Sequence, residues 1–351
     1  MSYTRQNRIY FTPKIPACKG GVLASSKIAQ RSSTELGHLI AGYRLCARSE
    51  GKSKNTIDIV TNSVGYFEGF LRSEGLPTDV TQIGVWEIRV FISYLQQKRC
   101  FSNHPFSRPQ ERELSSHTIN CYLRSIRAFW SWLVAEEIIR DNPFPKVKLP
   151  KPIKKVIPTF SETQILQLVS VIDTSTLEGY RNYAIILTLL DTALRVSELI
   201  GVKMDSLWLD DGLLKVMGKG GKERHIPIGT EVQRILWRYI NRYRPQPLNP
   251  NFDFLFLTKD GRKLTKGRIE IMMLGYGEKA GIKGVRVSPH TLRHTAAVNF
   301  LRNGGDVFSL QRLLGHSSLE MTRHYCELAD VDVKKAHLTA SPVDNLGFRA
   351  R

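Results

Sequence analysis

Hydrophobic positions recur with helical spacing in four stretches between residues 34 and 137. The four apolar stripes are Leu36, Leu39, Ile40 and Tyr43; Ile57, Val60, Val64, Phe67 and Leu71; Trp86, Val90, Phe91, Tyr94 and Leu95; and Ile119, Tyr122, Leu123, Ile126, Phe129, Trp130 and Leu133. Residues three and four positions apart share one face of a helix, so each stretch predicts an amphipathic helix. Ser53 is a typical N-cap for the second helix, and Gly75 before Pro77 is a typical stop. We expect a compact helical bundle.

The second half of the chain predicts further helices and one β-hairpin. Ser161 and Gln164 have the spacing of a capping box, which marks the start of a helix. The segments Leu213–Met217 and Arg224–Ile228 flank a turn rich in glycine and lysine, as expected for a hairpin. Further helices are predicted at Arg181–Leu190, Glu231–Arg242, Lys266–Ala280, Thr291–Asn303, Ser309–Leu314 and Val331–Leu338. The predicted fold is therefore mainly α, with a small β-sheet or hairpin in the C-terminal domain.

Residues 143–158 divide these two regions and hold five prolines and five lysines. Proline keeps the backbone extended and removes a helical hydrogen bond, so we interpret this stretch as a semi-rigid linker with almost nothing for a core. The predicted organisation is an irregular basic arm (1–33), a helical domain (34–142), the linker (143–158), a mixed α+β domain (159–340) and a C-terminal tail (341–351).

The charge balance narrows the class of partner. The chain has 51 Lys and Arg against 32 Asp and Glu, a net charge of +19. Such a charge favours polyanions, of which nucleic acid is the commonest, although a merely basic protein would have the same balance. The lysines of the linker either follow a phosphate backbone or are simply solvated, and the sequence favours neither.

Cysteine usage and hydropathy indicate the compartment. The five cysteines are scattered without a CxxC pair, which argues against a disulfide framework or zinc ribbon and for a reducing compartment. No secretory signal and no apolar run long enough to cross a membrane is found. We expect a cytoplasmic protein with no membrane partner.

The stretch from Pro289 to Tyr325 carries the candidate chemistry. His290 and Arg293 lie three residues apart and share a helix face, while His316 and Tyr325 follow within the same stretch. A guanidinium holds phosphate oxygens, imidazoles move protons and a phenol can attack. This combination suggests phosphodiester chemistry.

Two upstream motifs complete a family resemblance. The segment DTALRVSEL contains Arg195, and GKGGKERHIPI contains Lys219; HTLRH, LLGH and Tyr325 follow in the C-terminal stretch. In this order and spacing they are similar to the motifs of the tyrosine recombinases, the family of phage integrases and bacterial Xer recombinases. The resemblance is close from Ile157 to Ala336. It extends loosely over the helical N-terminal region, as a core-binding domain that contacts DNA.

The resemblance implies a role for each matching residue. Arg195 and Arg293 resemble the pair that grips the scissile phosphate, a task that suits two guanidinium groups. Tyr325 resembles the nucleophile that forms a 3′-phosphotyrosyl link and so conserves the bond energy for rejoining. His324 is its neighbour and Tyr276 a distant alternative, but only Tyr325 has the family's spacing after His316.

The proton-transfer roles are implied in the same way. Lys219, expected at the hairpin tip, resembles the general acid that protonates the leaving 5′ oxygen. His290 resembles a general acid/base, and His316 resembles a donor to the phosphate. Glu198, one helical turn after Arg195, is expected to orient its neighbours.

The resemblance also implies architecture and partners. A core-binding domain and a catalytic domain would form a C-shaped clamp on double-stranded DNA, and four protomers would make a synaptic tetramer. The helix at Val331–Leu338 would dock on a neighbouring protomer or fold back on its own domain. A partner recombinase or a DNA-bending protein is compatible with this layout. No cofactor, nucleotide or metal is expected, because arginine and lysine charges take the place of divalent ions.

Several alternatives bear on the function. His290 and His294 have an i, i+4 spacing that suits zinc, but no HExxH glutamate and no nearby cysteine accompany them. GKGGKE lacks the Lys-Ser/Thr ending of a Walker A loop. A type IB topoisomerase-like nicking-closing enzyme and a non-cleaving DNA-binding accessory protein remain as other functions. A mobile-element integrase and a resolvase of chromosome dimers both fit the leading interpretation, a site-specific DNA recombinase.

Overall fold

The computed structural model describes residues 34–100, 110–151, 158–218, 221–329, 337 and 341–346. The chain divides into two compact units, Met1–Lys155 and Val156–Arg351. The predicted N-terminal arm, Lys219 and all of the predicted helix at 331–338 except His337 lie outside the described residues. In the part of the chain that is described, each helix is too short or too polar to cross a bilayer.

The first unit contains the four helices that the hydrophobic pattern predicts. They are α1 (Leu36–Ser49), α2 (Lys54–Ser73), α3 (Val85–Gln97) and α4 (Ser116–Ala135). The Ser53 hydroxyl accepts a hydrogen bond from the Thr56 backbone N–H, as expected of an N-cap. Trp86 differs from the prediction, because its side chain is 61% exposed. The buried positions of α3 are Ile88, Phe91 and Leu95, and Trp86 lies outside that stripe.

The core of the first unit extends into the proline-rich stretch after α4. A short 3-10 helix, Phe144–Lys146, buries the Phe144 ring against Trp130, with ring centroids 5.6 Å apart. Val147 is buried in the same core, and the Asn120 side-chain amide donates to the Pro150 carbonyl at 2.6 Å. The expectation that this stretch offers almost nothing to a core is therefore wrong for its first residues. A single phenylalanine between prolines has no periodicity that would reveal its burial.

The second unit is mostly helical with one small sheet. Its helices are α5 (Glu162–Ser170), α6 (Leu177–Thr192), α7 (Val196–Leu199), α8 (Thr230–Arg238), α9 (Lys266–Lys279), α10 (Pro289–Arg302), α11 (Val307–Leu314) and α12 (Glu320–Ala329). The strands are β1 (Leu207–Trp208), β2 (Leu213–Met217) and β3 (Glu223–Pro227), in the antiparallel order β1-β2-β3. Leu214 pairs with Ile226 and Val216 with Arg224. The capping box at Ser161 is present. The mainly α fold with a small sheet is confirmed.

Two hydrophobic clusters hold this unit together. The larger one surrounds α6 and includes Leu189, Leu214 and Leu292 from three different elements. The smaller one joins α10, α11 and α12 and contains the ring of Tyr325. Helix α12 was not predicted, because its buried residues are Thr322, Tyr325 and Ala329 rather than an aliphatic stripe. The turn between α6 and α7 and the three helices of the smaller cluster bring together the residues described next.

Candidate active site

Arg195 follows a left-handed turn at the end of α6. Ala193 has a φ of +51°, an uncommon value for a residue with a side chain. The turn places Arg195 directly before α7, where its backbone N–H donates to Glu198 Oε2 at 2.9 Å. Arg195 Nη1 donates to Oε1 of the same carboxylate at 2.9 Å. Because this side chain is 32% exposed, part of its guanidinium remains open to a ligand.

Glu198 also binds a second arginine, Arg224 on β3. Arg224 Nη1 and Nη2 donate to the two carboxylate oxygens at 2.9 and 3.0 Å. Burial by itself raises the pKa of Glu198, but the hydrogen bonds from Arg224 and from the Arg195 backbone outweigh it and lower the pKa. The carboxylate therefore stays ionised at neutral pH and holds both arginines in place.

Arg293 on α10 is almost fully buried beneath the site. Its Nη1 donates to the Ala193 carbonyl at 2.6 Å and its Nη2 to the Leu314 carbonyl at 2.8 Å. Burial, followed by the positive charge of Arg195, lowers the pKa of Arg293 to about 10. The guanidinium is still protonated at neutral pH. It is a fixed positive charge that ties the turn after α6 to the end of α11.

His316 follows the left-handed Gly315 at the end of α11 and contacts Arg293. Arg293 Nη2 lies 3.4 Å from His316 Nε2, and His316 Nδ1 lies 3.0 Å from the hydroxyl of Thr322. Burial and then the charge of Arg293 lower the pKa of His316 to about 4, so the ring is neutral near pH 7.

With Arg293 donating to Nε2 of His316, the ring proton lies on Nδ1 and points to Thr322. To donate from Nε2 to a phosphate, the ring must change tautomer. The Thr322 hydroxyl permits this change because it can donate as well as accept.

Tyr325 lies on α12 with its side chain turned into the protein. It is 5% exposed, and its hydroxyl lies 2.9 Å from Nδ1 of His294 on α10. Its ring lies roughly parallel to the imidazole ring of His316, with ring centroids 6.3 Å apart. Burial raises the pKa of Tyr325, while the charges of Arg293 and Arg195 oppose that rise. The phenol is therefore protonated at neutral pH and needs a proton acceptor before it can attack.

His290 lies one helical turn before His294 on α10. Both line a cleft of about 270 Å³ that Glu270 and Arg286 also border. Burial and then the charges of Lys266 and Arg293 lower the pKa of His290. Among the described residues, the histidine that hydrogen-bonds to the Tyr325 hydroxyl is His294 and not His290. In the same part of the chain, no group of three His, Cys, Asp or Glu side chains could hold a metal ion.

The structure brings four predicted residues into one site, namely Arg195, Arg293, His316 and Tyr325. His290 lies on the adjoining turn of α10. Lys219 lies outside the described residues. Gly218, just before it, is described, and its backbone N–H donates to the Lys222 carbonyl at 2.7 Å. Tyr276, the distant alternative nucleophile, lies on α9, and its hydroxyl accepts from the Asn182 amide at 3.0 Å.

Three further residues of the site were absent from the predicted set: Arg224, His294 and Thr322. Arg224 had a usable signal, since strand alternation places it on the same side as the buried Ile226, where a charge needs a partner. His294 shares a helix face with His290, which indicates a common site but not its contact with Tyr325. Thr322 had no signal, because its role depends on how α12 packs.

Two family models match the chain. The model of the phage integrase family matches residues 158–331, which include all of the site residues. The model of the phage integrase SAM-like domain matches residues 42–149.

Individual relatives agree with these matches. Tyrosine recombinase XerD of Listeria innocua is 30% identical over 295 residues, which cover 84% of this chain and 94% of the relative. Tyrosine recombinase XerC of Oceanobacillus iheyensis is 31% identical over 296 residues, covering 84% and 92%. The Tn1549 transposon integrase, solved in complex with a circular intermediate DNA, superposes with a TM-score of 0.63 at 22% identity, covering 84% of this chain and 95% of that one. This last likeness concerns the fold.

Proposed function

We propose that this chain, which belongs to the phage integrase family and is a site-specific tyrosine recombinase, cuts and rejoins double-stranded DNA through a 3′-phosphotyrosyl link to Tyr325. The observation that carries the proposal is the position of that phenol. It is buried among positively charged groups, with Arg293 and Arg195 close enough to oppose the rise of its pKa. A tyrosine in such surroundings is suited to attack an anionic phosphodiester.

Arg195 and Arg293 bind the scissile phosphate in this proposal. Arg195 is held by Glu198 through one face and is partly exposed, so its other donors can reach a phosphate oxygen. Arg293 is fixed by two backbone carbonyls and does not have to reorganise when charge develops. Fixed donors of this kind stabilise the extra charge of a pentacoordinate transition state.

His316 supplies a further hydrogen bond to the phosphate. A phosphate oxygen that binds Arg293 competes with His316 Nε2 for the same guanidinium. Once that contact is replaced, the Thr322 hydroxyl can donate to Nδ1, and Nε2 then carries the proton toward the phosphate.

The remaining roles complete the reaction. Tyr325 Oη attacks phosphorus, the bond from phosphorus to the 5′ oxygen breaks, and Lys219 protonates the leaving oxygen as general acid. His290 acts as an acid/base group beside the site. Rejoining is the reverse of these steps, with the free 5′ hydroxyl attacking the phosphotyrosine. The covalent link conserves the energy of the phosphodiester, so no nucleotide is consumed.

Double-stranded DNA is the proposed partner, bound by a homo-oligomer that forms a synaptic tetramer on two sites. The net charge of +19 supports a polyanionic partner. A requirement for a partner recombinase or a DNA-bending protein would add to this assembly without changing the chemistry of the site.

The test uses a binding site selected from a random-sequence duplex pool and placed once or twice in a supercoiled plasmid. We expect recombinant circles only from the two-site plasmid, and we expect them in the presence of a chelator. Arg293→Lys should abolish them, because the single ammonium nitrogen of lysine cannot reach both carbonyls and the phosphate as the forked guanidinium does. Arg302→Lys, an exposed substitution at the end of the same helix, is the matched control. Relaxed plasmid from a single site without recombinants would indicate a nicking-closing enzyme instead.

A further inference from the structure

We infer that His294 is the group that takes the proton of Tyr325 when the tyrosine attacks DNA. The inference rests on the proposed function and deepens it, since it assigns the base for the nucleophile. His294 touches a reacting atom, because its Nδ1 lies 2.9 Å from the Tyr325 hydroxyl. This is hydrogen-bond distance for a proton transfer.

The packing of two helices fixes this contact. His294 is on α10 and Tyr325 on α12, and the two helices share the cluster that contains Ala297, Leu301 and Ala329. The rings are tilted by 38° with centroids 5.6 Å apart, so the imidazole meets the phenol through its edge nitrogen rather than its face. The acceptor is therefore in place before DNA binds.

The charges around His294 favour its neutral, accepting form. Burial lowers its pKa most, and the electrostatic effects of His290, Arg293 and His324 lower it further. The groups that face it come from several elements: His290 and Arg293 on α10, Tyr325 and His324 on α12, His316 after α11, and Glu270 on α9 with Arg286 across the cleft. Glu270 is the acidic member of this set and would favour the imidazolium formed after proton transfer.

The other candidates are worse placed to accept this proton. His316 uses Nδ1 for Thr322 and faces Arg293 through Nε2. The ring of His324 is 6.1 Å from that of Tyr325, measured between centroids, and the hydroxyl contact goes to His294. His290 keeps its proposed acid/base role in the cleft beside the site.

The Tyr325 O–H bond breaks and its proton moves to His294 Nδ1, while the oxygen forms a bond to phosphorus. The bond from phosphorus to the 5′ oxygen breaks, and that oxygen takes a proton from the general acid of the proposed reaction. In rejoining, the departing phenolate recovers its proton from His294. No oxidant, reductant or other reactant is required.

The experiment measures the rate of covalent adduct formation on a nicked duplex that carries the selected binding site. His294→Asn is the main variant, because the asparagine amide keeps a hydrogen-bond acceptor near the position of Nδ1 but does not take a proton. We expect adduct formation to slow about 100-fold, the usual size of a general-base contribution. His324→Asn changes the neighbouring histidine in the same way and should stay close to the wild-type rate. Thermal unfolding and affinity for the duplex verify that both variants fold and bind.

A second substrate separates acid from base. A sulfur atom in place of the bridging 5′ oxygen leaves as a thiolate and needs no protonation. On this duplex the His294→Asn defect should persist, and wild-type cleavage should still fall as pH drops below the usual histidine value of 6.5. The variant should lack that decline, which a merely structural role of His294 would not remove.

A wild-type rate and pH profile for His294→Asn, or full rescue of the variant by the sulfur substrate, would overturn the assignment of His294 as the base. If the variant does not fold, the wild-type profile on the sulfur substrate decides, and a flat profile would overturn it. Failure of the wild type to form any adduct on a duplex that it binds would instead overturn the proposed function.

Discussion

Glu198 accepts a hydrogen bond from each terminal nitrogen of Arg224, one on each carboxylate oxygen, at 2.9 and 3.0 Å. The same carboxylate holds the backbone N–H and the side chain of Arg195. Arg224 also donates to the carbonyl of Leu313, at the end of the helix before His316, at 3.4 Å. These two ion pairs and the Arg224 hydrogen bond thus connect the sheet, the turn that carries Arg195 and the segment that carries His316.

Removal of this connection should affect both stability and activity. Arg224→Gln is expected to lower the free energy of unfolding by about 2–3 kcal/mol, because it removes hydrogen bonds to a buried charge. Cleavage should slow as well, since Glu198, which holds Arg195, loses its partner on the sheet. Arg234→Gln is the matched control, because Arg234 pairs with Glu231 on the surface at 3.0 Å with both side chains more than two-thirds exposed. The control should stay within about 0.5 kcal/mol of wild type in denaturant unfolding. Equal effects of the two substitutions would contradict the account.

The contribution of Glu198 should depend on pH in a defined direction. The pKa of Glu198 is lower in the folded protein than its usual value of 4.5, so the folded state favours the ionised form. Its stabilising effect is therefore complete above pH 4.5 and is lost as the pH falls through the lower, folded-state pKa. The difference in unfolding free energy between wild type and Glu198→Gln should be largest near neutral pH and shrink in acid. A difference that grows on acidification would show that the carboxylate is not held by the two arginines.

Thr322 should matter for cleavage through its contact with His316. Its hydroxyl is the partner of His316 Nδ1, and its side chain is fully buried. Thr322→Val keeps the shape but removes that partner, so we expect cleavage to slow about 10-fold, the equivalent of one hydrogen bond. Thr322→Ser keeps the hydroxyl and should retain most of the rate. Single-turnover cleavage of the nicked duplex gives both values, and a valine variant as fast as the serine variant would count against the tautomer change.

Gly315 should be intolerant of a side chain for two separable reasons. Its φ is +63°, and a Cβ there would lie 3.0 Å from the guanidinium of Arg224. Gly281 has nearly the same φ, +61°, with open space around the added carbon. Gly281→Ala therefore measures the backbone strain alone, about 1 kcal/mol. Gly315→Ala should cost more and also slow cleavage, because it displaces Arg224. Identical losses in thermal unfolding would mean that Arg224 adapts freely.

Much of the fold was predictable from periodicity. Long apolar stripes such as that of α4 determine a helix before any tertiary contact is known. Helix α12 lacks such a stripe, since it buries Thr322, Tyr325 and Ala329, and so it escaped prediction. The burial of Phe144 depends on the position of Trp130, which no local pattern reports.

The site was predictable as far as its motifs extend. Arg195, Arg293, His316 and Tyr325 could be named because each lies in a short segment with a family pattern. The contacts that support them join residues far apart in the chain, as between Glu198 and Arg224 or His294 and Tyr325. Such pairs follow from packing, and their roles in catalysis stay predictions to be measured.

The most direct measurement is covalent trapping on a nicked duplex with the selected site, run in chelator and analysed under denaturing conditions. Wild type, Tyr325→Phe and Tyr276→Phe are compared, the last being the matched loss of a hydroxyl elsewhere in the same unit. We expect an adduct at the 3′ phosphate from wild type and Tyr276→Phe and none from Tyr325→Phe, with DNA affinity unchanged in all three. An adduct that persists in Tyr325→Phe would contradict the central claim that Tyr325 is the nucleophile.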